Sequence, residues 1–212
     1  MKVRGYLSGS EDIVDVLPGP DSVATLRYIL DTGRLADEVI VKEGATCLTR
    51  ADFWTLGLRR EMESDIGNAC MRLIYEEARA HGKDVYIADM YIVATWKSGK
   101  DPLTYFPENA DMKDALVFPA WTQATGPDHY LLCEYCTSSR PWTEATGLDI
   151  GVLPQQTNSN DCGVFVLMYA LNTVLDIPFN FSQVRIFLFF FSLKIAMKLK
   201  FYCWSLDTNN KT

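Results

Sequence analysis

Hydrophobic positions follow three patterns along the chain, and each predicts a different kind of element. Ile66, Ala69, Cys70, Leu73, Ile74 and Ala78 recur at three-to-four spacing, which predicts an amphipathic helix starting at Ser64 and stopped by Gly82. Cys70 lies on its apolar face and reads as a packing residue, while His81 in the last turn reads as a cap. Ala115 to Phe118 and His129 to Cys136 read as two strands joined by the turn-rich Thr122-Gln123-Ala124-Thr125-Gly126-Pro127-Asp128. Val164 to Leu175 (VFVLMYALNTVL) is apolar all round, which predicts a buried helix.

Shorter elements fill the N-terminal half. Residues 1–20 are rich in Gly, Pro, Ser and Asp and read as a loose leader to a domain spanning 21–183. Asp21 or Ser22 caps a short helix with Val23, Leu26, Ile29 and Leu30 on one face and Gly33 as its stop. Glu38 to Val41 is a brief strand, turned at Glu43-Gly44. Thr49-Arg50-Ala51-Asp52 has the form of a capping box ahead of Phe53, Trp54 and Leu56. Asp84 to Trp96 is aromatic and β-branched on both alternations, which predicts a strand buried on both faces, with a helix as the alternative. Ser98 to Pro102 is a turn. Helices first, then strands and a last buried helix, make an α+β fold.

The candidate chemistry sits at the start of that last helix. Asn160 or Asp161 is the N-cap, so Cys162 falls in the first turn, where unpaired backbone N–H groups and the helix dipole favour negative charge. A cysteine in such a place is often only a small core hydrophobe. Its neighbours distinguish this one. Gln156, six residues upstream in a polar loop, can donate to an oxyanion; Gly163 lets a substrate backbone approach; His129, 33 residues upstream, opens an apolar strand. Nucleophile, base and oxyanion donor are the minimum for acyl transfer. The spacing His129-x3-Cys133-x2-Cys136 offers three zinc ligands and no second pair, and strand geometry sends the two cysteines to opposite faces. They read as packing residues, and no metal is expected.

Pro154-Gln155-Gln156-Thr157-Asn158 through Asp161-Cys162-Gly163-Val164-Phe165-Val166 resembles the active-site signature of the ubiquitin-like-protein-specific cysteine proteases of deSUMOylating type. Val117-Phe118-Pro119-Ala120-Trp121 with His129-Tyr130-Leu131-Leu132 resembles that family's approach to its catalytic histidine, and Phe179-Asn180-Phe181-Ser182-Gln183 also fits. The resemblance, over roughly residues 49–183, implies a papain-like α+β fold with a central sheet and the nucleophile at a helix N-terminus. It implies a peptidase with His129, Gln156 and Cys162 as catalytic residues, acting after the C-terminal glycine of a ubiquitin-like modifier such as SUMO, and needing no cofactor. The alternative is a catalytically degenerate module that binds a ubiquitin-like protein without cleaving it. Two departures stand out. The domain is internally shortened between His129 and Gln156, so the family's acid-bearing strand is missing and Asp149, on the approach to the Gln loop, is the nearest aspartate. The family's usual tryptophan after the histidine is Tyr130 here, which leaves the choice of modifier open.

Charge and composition narrow the setting. A net charge of −7 and a pI near 4.9 argue against nucleic acid as partner. Met1-Lys2-Val3-Arg4-Gly5 passes straight into polar residues with no secretory pattern, so the six cysteines read as reduced thiols in nucleus or cytoplasm. Composition then changes after Gln183: of the chain's 27 acidic residues only Asp207 lies beyond it. Residues 184–212 read as an atypical tail of translated-intron character, since Val184-Arg185 can be encoded by a splice-donor-like GTAAGA. Its apolar run, Ile186 to Leu193, is too short to span a bilayer, and no membrane association is expected. The sequence leaves oligomeric state open.

Overall fold

The computed structural model describes residues 20–43, 46–57, 60–92, 95, 98–122, 129–135, 154, 156 and 160–181, and within them helices and small sheets are mixed. Helix α1 (Pro20–Leu30) leads to a hairpin of β1 (Val39–Glu43) and β2 (Thr46–Thr49), then to α2 (Arg50–Gly57) and the long α3 (Ser64–Ala80). Strands β3 (Val85–Ile87), β4 (Ala115–Thr122) and β5 (His129–Tyr135) form a second sheet, and α4 (Cys162–Leu175) follows. This is the α+β architecture expected. The predicted leader up to residue 19 and the tail 184–212 lie outside the described residues.

Helix α3 buries Ile66, Ala69, Cys70, Ile74 and Ala78 as its periodicity predicts. It stops where predicted: the His81 N–H bonds the Glu77 and Ala78 carbonyls, and Gly82 takes the left-handed conformation at φ 72. Half of the capping box forms: the Asp52 carboxylate accepts the Thr49 N–H at 2.6 Å, and it also accepts the Thr49 hydroxyl at 2.8 Å, which thus donates to the carboxylate. Strand β2 is not announced by the sequence. Only four residues long, it offers one buried side chain, Leu48, too few for a period to show.

In the second sheet β4 is central, parallel to β3 (Tyr86 opposite Leu116) and antiparallel to β5 (Phe118 opposite Cys133). Alternation sorts its residues between two cores. Ala115 and Val117 join the main core with α3 and α4, whereas Leu116 and Phe118 meet Ala88, Tyr86 and Phe106 on the other face. The strand expected over Asp84–Trp96 ends at Ile87. The Ala88 N–H still bonds the Val117 carbonyl at 2.8 Å, but the Asp89 carboxylate then accepts the Tyr91 N–H at 2.8 Å and turns the chain. A side-chain acceptor competing for backbone donors ends the ladder although the apolar composition runs on.

The N-terminal elements are joined by a buried charge. Arg50, at the head of α2, is 0% exposed. Its Nη1 donates to the Tyr28 carbonyl and, at 3.1 Å, to the Ile29 carbonyl, both at the C-terminal end of α1. Its Nη2 donates to Glu38 Oε2 at 2.6 Å, and Glu38 Oε1 accepts the Tyr28 hydroxyl. The Arg34 and Arg50 guanidiniums stand 4.5 and 4.6 Å from the Tyr28 ring centroid. A buried cation is tolerable only with such partners, and helix-end carbonyls plus a carboxylate supply them.

Helix α4 is enclosed by α3, β4 and β5, and ten of its first eleven residues bear out the prediction of burial on all sides, Tyr169 alone being half-buried. It ends in a Schellman pairing: the Asp176 N–H bonds the Thr173 carbonyl at 3.1 Å and the Ile177 N–H the Asn172 carbonyl at 3.0 Å. The Asn172 amide donates to the Pro178 carbonyl at 2.7 Å. The chain thus folds back, setting Phe179 and Phe181 edge-on to the Tyr169 ring at 5.4 and 5.2 Å.

Two outcomes follow from these contacts. The hydrogen bond from Tyr28, then that from Arg50, holds the Glu38 carboxyl below its ordinary 4.5. A lowered folded value stabilises the fold above the ordinary glutamate range, and that stability is lost as pH falls through the folded value. Glu38→Gln should therefore be less stable than the parent at pH 7, with the gap closing in acid; a gap of constant size in urea melts across pH would contradict this. Asp176 adopts the left-handed conformation at φ 56 and sets a carboxylate at a helix C-terminus. Asp176→Asn keeps a residue that tolerates this conformation and removes the charge, and should raise the unfolding free energy by about 0.3–1 kcal/mol. An unchanged or lower urea midpoint would contradict it.

Candidate active site

Cys162 is the first residue of α4 and is 7% exposed. Asp161 occupies the N-cap position, as the sequence allows, but caps through its backbone: its carbonyl accepts the Phe165 N–H at 2.9 Å and its side chain makes no capping bond. The sulfur thus sits where a helix offers unpaired amides and the positive end of its dipole. Packing of α4 against α3 and the sheet fixes that end in place. Gly163 has a structural reason that the sequence does not give. A Cβ there would lie 2.7 Å from Met62 Cε and 2.8 Å from Met62 Cβ, in the segment that leads into α3. The close approach is made by this chain's own side chain.

The Gln loop is tied to the same helix. Tyr169, seven residues beyond Cys162, donates its hydroxyl to the Pro154 carbonyl, two residues before the half-buried Gln156. Burial pushes the Tyr169 hydroxyl above its ordinary 10, so it remains protonated and a donor at neutral pH. Its ring packs against Phe165, Phe179 and Phe181. Sequence reasoning missed this tyrosine. The available signal was a polar-tipped residue at i+7 from Cys162 in an otherwise apolar helix, which puts both on one helical face.

His129 opens β5, paired across to Thr122, and β5 packs against α4. The elements carrying Cys162 and His129 are therefore in contact. The His129 imidazole, the expected gap in the acid strand and Asp149 all lie outside the described residues. His81, the chain's other histidine, is exposed, with Nδ1 2.9 Å from the Glu77 carbonyl oxygen, and closes α3 as a cap. Among the described residues no three His, Cys, Asp or Glu side chains converge as a metal site requires, and no helix is long and apolar enough to cross a membrane. The arrangement, a buried thiol at a helix start with an amide-bearing loop bonded farther along the same helix, suits covalent acyl transfer.

Comparison with known proteins follows the same residues. Residues 128–200 match the model of the Ulp1 protease family, C-terminal catalytic domain, a span that includes His129, Gln156 and Cys162. Sentrin-specific protease 5 of Mus musculus is 44% identical over 59 residues, 26% of this chain and 8% of that protein. The Homo sapiens protein of the same name is likewise 44% identical over 59 residues, covering 7% of its length. The matched stretch is thus less than a tenth of these curated relatives. Among solved structures, SUMO protease Ulp1 with its catalytic cysteine oxidised to a sulfenic acid superposes with a TM-score of 0.62 at 16% identity, over 84% of this chain and 96% of that one. The C-terminal Ulp1 protease domain in complex with Smt3, the yeast ortholog of SUMO, gives 0.59 at 17% identity, over 85% and 96%. These superpositions establish the fold.

The Met62 contact carries a prediction about the site's frame. Because Met62 Cβ is fixed by its backbone, no rotamer change relieves the clash, and Gly163→Ala should cost about 1–3 kcal/mol. Equal urea midpoints for variant and parent would contradict the close approach.

Proposed function

We infer that this chain, whose residues 128–200 match the Ulp1 protease family, hydrolyses peptide or isopeptide bonds after the C-terminal glycine of a ubiquitin-like modifier of the SUMO class. The observation that carries the reading is Cys162 at the N-terminus of a helix buried along most of its length, with the Gln156 loop bonded to that same helix. In the proposed mechanism His129 takes the Cys162 proton, and the thiolate attacks the carbonyl carbon of the modifier's last glycine. Gln156 and the Cys162 backbone N–H hold the oxyanion. Collapse of the tetrahedral intermediate expels the amine, protonated by His129, and water then hydrolyses the thioester. No metal or cofactor enters these steps.

The modifier class is supported by the names of the proteins this chain resembles, sentrin-specific and SUMO proteases, and by the Smt3 complex of the yeast domain. A channel admitting only glycine beside the sulfur would exclude larger side chains sterically. A nuclear or cytoplasmic setting goes with this reading, and Cys47, Cys70 and Cys162, none of them in a disulfide, are compatible with it.

The test is cleavage of a SUMO precursor and of a SUMO–lysine isopeptide by the parent chain and by Cys162→Ala. The parent should cut after the glycine, and the variant should lose at least ~10⁴-fold in rate with unchanged circular dichroism. Equal turnover by the variant would remove Cys162 as nucleophile. A parent that binds the modifier without cutting it would be a binding module instead.

A further inference from the structure

We propose that Tyr169 is a positioning residue for the oxyanion loop, its hydroxyl pinning the Pro154 carbonyl so that Gln156 is held over Cys162. The inference rests on the reading of Gln156 as the oxyanion donor. Geometry along α4 supports it. Tyr169 lies seven residues beyond Cys162, about 10 Å along the axis, and within roughly 20° of the same face. Helical side chains lean toward the N-terminus, so the hydroxyl is carried toward the Cys162 end. From the pinned Pro154 carbonyl, two residues of extended chain reach at most about 7 Å. That step can bring Gln156 back to the helix start, and the remaining residues then enter α4 at Asp161.

The pin is rigid for two further reasons. The Tyr169 ring is wedged among Phe165, Phe179 and Phe181, with centroids 5.2 to 6.3 Å apart, so the hydroxyl swings little. The Asn172–Pro178 bond and the Schellman turn fold Phe179 and Phe181 back onto that ring. The chain after α4 therefore braces the loop before it. An oxyanion donor displaced by about 1 Å loses much of its effect, which is why such a brace matters to rate and little to affinity.

The variants are Tyr169→Phe, Gln156→Ala and the double variant. Tyr169→Phe keeps the ring and removes one hydroxyl. It should lower kcat about tenfold with KM within twofold of the parent and with Cys162 alkylation by iodoacetamide unchanged. Gln156→Ala should lower kcat ~10²-fold, and the double variant should be no slower than Gln156→Ala alone. Losses that multiply in the double variant, or a parent-like kcat in Tyr169→Phe, would overturn the proposal. Amide hydrogen exchange supplies a readout that does not need turnover. In Tyr169→Phe the amides between Gln155 and Asp161 should exchange about five times faster while those of Phe165 to Val174 hold. Unaltered loop exchange would overturn the pin even in an active chain, whereas a parent that cleaves nothing would defeat the functional reading and leave the exchange result to judge the pin.

Discussion

A helix with no polar face must be walled on every side, and α4 imposes that requirement on the rest of the chain. Its side chains from Val164 to Met168 are buried in succession, which no single packing partner can achieve. Helix α3 supplies one wall, β4 and β5 another, and the returning Phe179–Phe181 segment closes over Tyr169 and Phe165. Burying each large apolar side chain contributes about 1.5–3 kcal/mol, so enclosing this one helix stabilises the domain more than any single polar contact does. It also decides where the Cys162 sulfur stands, because the first residue of an immobilised helix is itself immobilised.

Three polar side chains within that apolar frame tie its parts together. Arg50 joins the end of α1, the residue before β1 and the head of α2 by satisfying helix-end carbonyls and Glu38 together, so its burial sets how the N-terminal elements meet. Asn172 turns the chain out of α4 by bonding the Pro178 carbonyl. Tyr169 reaches from the helix to the loop that carries Gln156. Each bond crosses between elements, and each fixes an angle or a register that hydrophobic burial, being non-directional, leaves free.

What could be read in advance was whatever repeats. The three-to-four spacing of α3, the unbroken apolarity of α4 and the Thr49–Asp52 box each announced an element, and the box formed the carboxylate-to-backbone bond its spacing implied. Cys162 was legible as a first-turn residue for the same reason. Events of one residue were not. Asp89 ends β3 with a single carboxylate contact inside a run that still looks like strand. Leu48 is the lone buried residue of β2. Arg50 looks like a surface charge until tertiary packing brings Tyr28, Ile29 and Glu38 around it, and Gly163 looked like a substrate approach before Met62 filled the space. These are decided by long-range neighbours, which a local pattern does not encode.

The account stands on Cys162 being the nucleophile by virtue of its place. The most direct measurement presents the chain with a SUMO-type modifier whose C-terminal glycine carries a thiol-reactive electrophile and locates the adduct by mass spectrometry. Cys47 is exposed whereas Cys162 is 7% exposed, so mere accessibility favours Cys47. The account predicts a single adduct on Cys162 and an unmodified Cys47. An adduct on Cys47, or retained binding with no adduct, would contradict it.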